Sequence, residues 1–205
     1  MGTTELTPRP DRGLRAAGFR RWLSVYALIW AATVLLAGCV AICGRSADTA
    51  RGLLDLHLSA AATPAPSLAR VLGLAAHNLP VVAWPLLLDT AGARGSRTSR
   101  RTADALLVAS VTANVVPVGA ALGAYGPALV AFVPQLPLEW AALALGVTAW
   151  RGIKPRPDRP HRSLGRLSLI VVLVALAASL ETFAVPHVSA AGFGRGVSKP
   201  PRATG

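Results

Sequence analysis

The chain has 205 residues, of which 53% are hydrophobic and only 15% are charged, with a mean hydropathy of +0.49. This balance excludes an ordinary soluble domain. The net charge of +12 suits an anionic partner, but the basic residues lie in short runs between long apolar segments. No basic face with interleaved aromatic residues appears, which argues against a nucleic-acid partner and favours loops held against anionic lipid headgroups.

Five apolar stretches are long enough to be membrane spans. About 20 apolar helical residues cross a hydrocarbon core of about 30 Å, and a helix satisfies its own backbone there. The sequence therefore predicts an all-α fold, a polytopic transmembrane helix bundle with five spans over residues 22–190. The predicted spans are 22–43, about 71–88, about 105–124, about 128–150 and about 167–186. A basic tail (1–21) precedes them, and a tail predicted to be disordered (191–205) follows.

The distribution of Lys and Arg predicts the orientation, since positive loops stay on the cytoplasmic side. The N-terminal tail carries five of these residues, the second loop four and the fourth loop six. The first loop carries three, the third none and the C-terminal tail three. An inside N-terminus with an outside C-terminus fits every loop, and predicts a multi-pass protein of the cell membrane.

The first span also matches a lipoprotein signal. The segment Leu36-Ala37-Gly38-Cys39 has lipobox spacing, which would place a lipid on Cys39 after cleavage. The apolar run continues to Ile42, where a mature lipoprotein normally turns polar, so an uncleaved helix is favoured. Whether Cys39 is lipidated stays open. Cys43 lies one helical turn away, where a strain-free disulfide is not expected.

Polar residues inside the spans are the candidate functional residues, because an ionisable group in hydrocarbon costs on the order of 3 kcal/mol or more. Glu139 is the foremost of them. It either anchors helix packing through a hydrogen bond, handles protons or ions together with Glu181, or meets a polar group on a partner's helix. Depth along the helices predicts one polar cluster in the outer half of the bundle. Its predicted members are His77, Asn78, Asn114, Gln135, Glu139 and Glu181.

Two glycines in the predicted third span favour close packing against another helix. Gly119 and Gly123 form a small-xxx-small pair that allows close helix packing, within the bundle or between copies.

The sequence contains no GxSxG elbow, HExxH, phosphate-binding loop or paired-cysteine spacing. We therefore expect no catalytic residue, no metal site, no cofactor and no enzymatic activity.

Three motifs in the later spans resemble those of the stage II sporulation protein M family of membrane proteins. The family has an Asn-Asn pair in its second span, a Pro-His-Gly-x-x-Glu motif in its fourth and a Glu before a closing Pro in its last. The corresponding segments here are His77-Asn78-Leu79-Pro80, Pro134-Gln135-Leu136-Pro137-Leu138-Glu139 and Leu180-Glu181 with Pro186. His77, Gln135 and Leu136 depart from the family's residues, so a relay through those positions would be lost or rewired here.

The resemblance implies a non-enzymatic membrane scaffold. In sporulating bacteria such proteins tether peptidoglycan-degrading partners at the septal membrane, and members also occur in gene clusters for the export or maturation of peptide antibiotics. The expected partners are membrane lipids and other membrane or envelope proteins, with homo-oligomer formation left open. The alternative prediction is a proton-coupled transporter or export component.

Overall fold

The computed structural model describes residues 12–43, 65–90, 96–130, 133–152 and 160–184, and all its regular elements in these ranges are helices. The predicted all-α fold is thus confirmed. The tail before residue 12, most of the first loop and the residues after 184 lie outside the described part. The described residues form six helices: α1 (Arg12–Ile42), α2 (Leu68–Thr90), α3 (Arg97–Tyr125), α4 (Pro127–Val130), α5 (Leu136–Gly152) and α6 (Pro160–Phe183).

Three of these helices are long and apolar enough to cross a membrane: Ala16–Ile42 within α1, Arg97–Tyr125 and Leu164–Phe183 within α6. A polytopic membrane bundle is thereby confirmed. Leu136–Trp150 is a shorter apolar helix. The 23 residues of α2 remain helical although Pro80 and Pro85 lie inside it, as membrane helices tolerate when neighbouring groups satisfy the freed carbonyls.

The predicted fourth span is not one continuous helix. Gly126, at a φ of 60°, ends α3 by donating its amide to the carbonyl of Leu122 at 2.8 Å, and only the single turn of α4 follows. The chain then turns at Pro134 and Gln135 before α5 begins. Proline cannot donate an amide and disfavours a helical residue before it, so Pro134 breaks a stretch that is mostly apolar.

The central element of the bundle is α5, which packs against α1, α2 and α6. Ala142 and Ala144 are fully buried, and Leu143 between them is buried almost as completely. Small residues on several sides of α5 allow three helices to approach it at once. On the periphery, α3 packs mainly on α1, and α2 packs on α6.

Contacts between helix pairs fix their relative directions. A Cβ added at Gly119 would meet Thr33 and Leu36 of α1, whereas one at Gly123 would meet Ala37 and Val40, four residues further along. Helices α1 and α3 are therefore parallel. In the same way α2 is parallel to α5, because Asn78 bonds Glu139 and the Val82 carbonyl lies beside Gly146. Both pairs agree with spans that cross in alternating directions.

The side of the membrane on which each end lies remains a prediction, which cysteine labelling can test. In a C39A/C43A background, we expect an impermeant maleimide to label Ala65→Cys in intact cells. It should label Thr98→Cys only after permeabilisation, because the arginine-rich second loop is predicted to be cytoplasmic. Both positions are exposed. The reverse pattern would show that the orientation is wrong.

Candidate functional site

The site begins with a contact between α2 and α5. The Asn78 side-chain amide donates to Oε1 of Glu139 across a long 3.4 Å hydrogen bond, and both residues are half-buried. Glu139 lies in the first turn of α5, next to the Pro134-Gln135 turn rather than in the middle of a continuous helix. The dipole of a helix start favours an acceptor there. The break before α5 therefore helps to accommodate the acid.

A second carboxylate, from α6, joins this contact. Glu181 is half-buried and lies within electrostatic range of Glu139 and of the Arg70 guanidinium at the start of α2. We call Arg70, Asn78, Glu139 and Glu181 the carboxylate cluster. It joins α2, α5 and α6 around two acids and one cation, which leaves it one positive charge short when both acids are ionised.

Arg70 is a member of the cluster that the sequence does not predict, because it precedes the predicted second span and so belongs to the predicted first loop. The structure starts α2 at Leu68, with the Ser67 hydroxyl accepting from the Arg70 amide at 3.2 Å. Serine is a preferred residue at a helix N-cap. The signal available in the sequence was thus Ser67, which places Arg70 in the first turn of the helix instead of in a loop.

Two predicted members do not take part in the cluster. His77 is exposed, although it adjoins Asn78 in sequence. Asn114 donates its side-chain amide to the Ser110 carbonyl one turn earlier in α3, at 2.8 Å. Within the described residues neither side chain is hydrogen-bonded to the cluster. Of the six predicted members, Asn78, Glu139 and Glu181 thus belong to the carboxylate cluster together with Arg70, and Gln135 lies beside it.

Gln135 lies next to the cluster, in the turn that precedes α5, but its side-chain oxygen has no hydrogen-bond partner among the described residues. The same holds for the indole Nε1 of Trp140, whose ring is buried in the core. An unsatisfied buried polar group costs about 1–3 kcal/mol. The start of α5 thus holds one acceptor and one donor, on either side of Glu139, that the described protein atoms leave unused.

Gly119 and Gly123 lie at the contact between α1 and α3, where a Cβ would collide with α1 at Gly123 and would fit tightly against it at Gly119. Gly146 plays the same part between α5 and α2, since a Cβ there would come within 2.6 Å of the Val82 carbonyl. Sequence reasoning missed Gly146. The sequence pattern that indicates it is the pair of small residues Ala142 and Gly146, four residues apart.

A separate polar contact lies where α5 ends and α3 begins. The Trp150 indole donates to a carboxylate oxygen of Asp104 at 2.7 Å. The predicted third span began just after Asp104, but α3 already starts at Arg97, so this acid lies within the helix and not in a loop. The bond holds the end of α5 against α3 by a charge-assisted donor–acceptor pair.

Comparison of the chain with protein-family models, with curated proteins and with solved structures finds no match. Among the described residues, no group of three or more His, Cys, Asp or Glu side chains is placed to hold a metal ion. What the carboxylate cluster does must therefore follow from its own residues.

Proposed function

We propose that the protein is a non-enzymatic integral membrane scaffold that recruits cell-envelope remodelling or export partners. The observation that carries this proposal is that each acid of the carboxylate cluster has a partner inside the bundle. Asn78 donates to Glu139, and Arg70 attracts Glu181. The first contact fastens α2 to the central α5 and the second draws α6 towards α2, which is the role of an anchor.

The outer faces of the bundle are available to partners. Leu35 and Ile42 of α1 and Val108 of α3 are among many large apolar side chains that remain exposed. In a membrane these faces meet lipid or the helix of another protein. The resemblance to the stage II sporulation protein M family supports envelope or export proteins as the partners, in a multi-pass protein of the bacterial cell membrane.

A proton-coupled transporter or export component is the second candidate, because the carboxylate cluster has two acids and only one cation. A proton shared between Glu139 and Glu181 would supply the missing positive charge. The break before α5 adds support, since interrupted helices near a polar site are a feature of transporters. In this case the cluster would release and take up its proton during the cycle.

Replacement of both acids separates the two candidates. We expect an E139Q/E181Q variant, crosslinked in the membranes of its native host, to co-purify the same proteins as the wild type within about twofold, because glutamine keeps the shape and most of the hydrogen bonding. The purified wild type in liposomes should show no substrate movement driven by a proton gradient.

Asn114→Ala is the matched control, because it removes a polar side chain of the bundle outside the carboxylate cluster. Loss of co-purification with E139Q/E181Q but not with N114A, together with acid-dependent flux through the wild type, would overturn the scaffold in favour of the transporter.

A further inference from the structure

A groove of about 470 Å³ opens between α1 and α5, away from the carboxylate cluster. It is lined by Arg21, Ser24, Val25 and Leu28 of α1 and by Thr148 of α5. Its volume falls within the range of natural ligand pockets. Arg21 and Leu28 are seven residues apart, so the α1 wall extends for about 10 Å along the helix.

The walls of the groove are less polar than their sequence suggests. The Ser24 hydroxyl donates to the Arg20 carbonyl at 3.0 Å, and the Thr148 hydroxyl donates to the Ala144 carbonyl at 2.8 Å. Both hydroxyls are thereby turned back onto their own helices. What remains is a mainly apolar wall with one guanidinium at its end and no carboxylate in its lining.

The same end of the bundle is strongly basic. Because α1 and α3 are parallel, their N-terminal ends lie on one side, and exposed arginines occur at both. Asp104, the acid close to this end of α3, already accepts a hydrogen bond from Trp150. The exposed arginines are Arg20, Arg21, Arg97, Arg100 and Arg101.

We infer that the groove between α1 and α5 binds one anionic glycerophospholipid, with the headgroup phosphate on Arg21 and an acyl chain along Val25, Leu28 and Thr148. A phospholipid combines the two chemistries that the groove offers, a cation at the end and an apolar wall running from it. The inference rests on the membrane location of the chain and not on the scaffold proposal. A scaffold and a transporter could equally hold such a lipid.

The test uses the purified full-length protein in a mild detergent, titrated with dioleoylphosphatidylglycerol, and counts bound lipid by native mass spectrometry. We expect one lipid to be retained at low lipid concentration, and Arg21→Gln to weaken its binding about fivefold, the effect of one basic residue near an anionic lipid. Arg100→Gln is the matched control, since it removes an equal charge at the same basic end but outside the groove, and should change binding less than twofold.

A second pair of variants tests the acyl chain. Leu28→Gln changes the exposed wall without disturbing the core, because Leu28 is 68% exposed, and should weaken retention severalfold. Leu35→Gln, on the same helix and also exposed, should leave it unchanged. Equal losses with R21Q and R100Q would mean that general electrostatic attraction binds the lipid, and equal effects of L28Q and L35Q would mean that no chain occupies the groove. Either result would overturn the inference.

Discussion

Gly123→Val should separate α1 from α3 and destabilise the bundle by about 1–3 kcal/mol, the range for forcing extra atoms into a packed interface. A Cβ at this position would lie against the Ala37 carbonyl and 2.7 Å from the Cβ of Val40. Neither obstacle is the flexible end of a side chain, so the helices themselves must move. Denaturation in mild detergent, followed by tryptophan fluorescence, measures the loss.

Gly73→Val is the control for this experiment, because Gly73 lies within α2 and a Cβ there meets no atom within 4 Å. Both variants place a β-branched residue in a helix, so their difference reports packing and not helix propensity. If the two variants were equally stable, the close contact between α1 and α3 would be wrong.

Arg70→Met should be the most damaging change in the carboxylate cluster. It removes the guanidinium that attracts Glu181 while the acid stays half-buried. Without Arg70 the negative charge of Glu181 is uncompensated, and we expect the bundle to be destabilised by about 1–3 kcal/mol. This is less than the cost of breaking a fully buried ion pair, because Glu181 keeps some exposure.

The double variant R70M/E181Q should recover more than half of that loss, because it removes the uncompensated charge as well. Arg97→Met serves as the control, since it deletes an exposed arginine from the first turn of α3 and should change stability by less than about 0.5 kcal/mol. A double variant no more stable than R70M would contradict an electrostatic interaction between Arg70 and Glu181. The unfolding assay described for Gly123 provides the measurement.

The helical fold was predictable because the length and apolarity of a segment suffice to indicate a membrane helix. The break before α5 was harder to predict, since mostly apolar residues lie on both sides of it. Its local signals were Gly126, a residue that readily takes positive φ, and Pro134, which restricts the residue before it. Both act through backbone geometry, which the mean hydropathy of a segment does not detect.

The candidate site was predictable only in part. Asn78, Glu139 and Glu181 could be singled out because polar groups are costly in lipid, and the structure brings them together. Which way a neighbouring side chain faces depends on helix pairing, so His77 could not be separated from Asn78. The pairing itself joins residues far apart in sequence, as with Gly123 and Val40, and no local pattern specifies it.

The central position of α5 has a consequence for how the protein is made. With 17 residues, α5 is about 26 Å long, shorter than a hydrocarbon core of about 30 Å, so it is poorly suited to enter a bilayer unaided. It is also synthesised after α1, α2 and α3 and before α6. Helices α1 and α2 are therefore made before the helix that they pack against, and the bundle can be completed only after α5 and α6 have been synthesised.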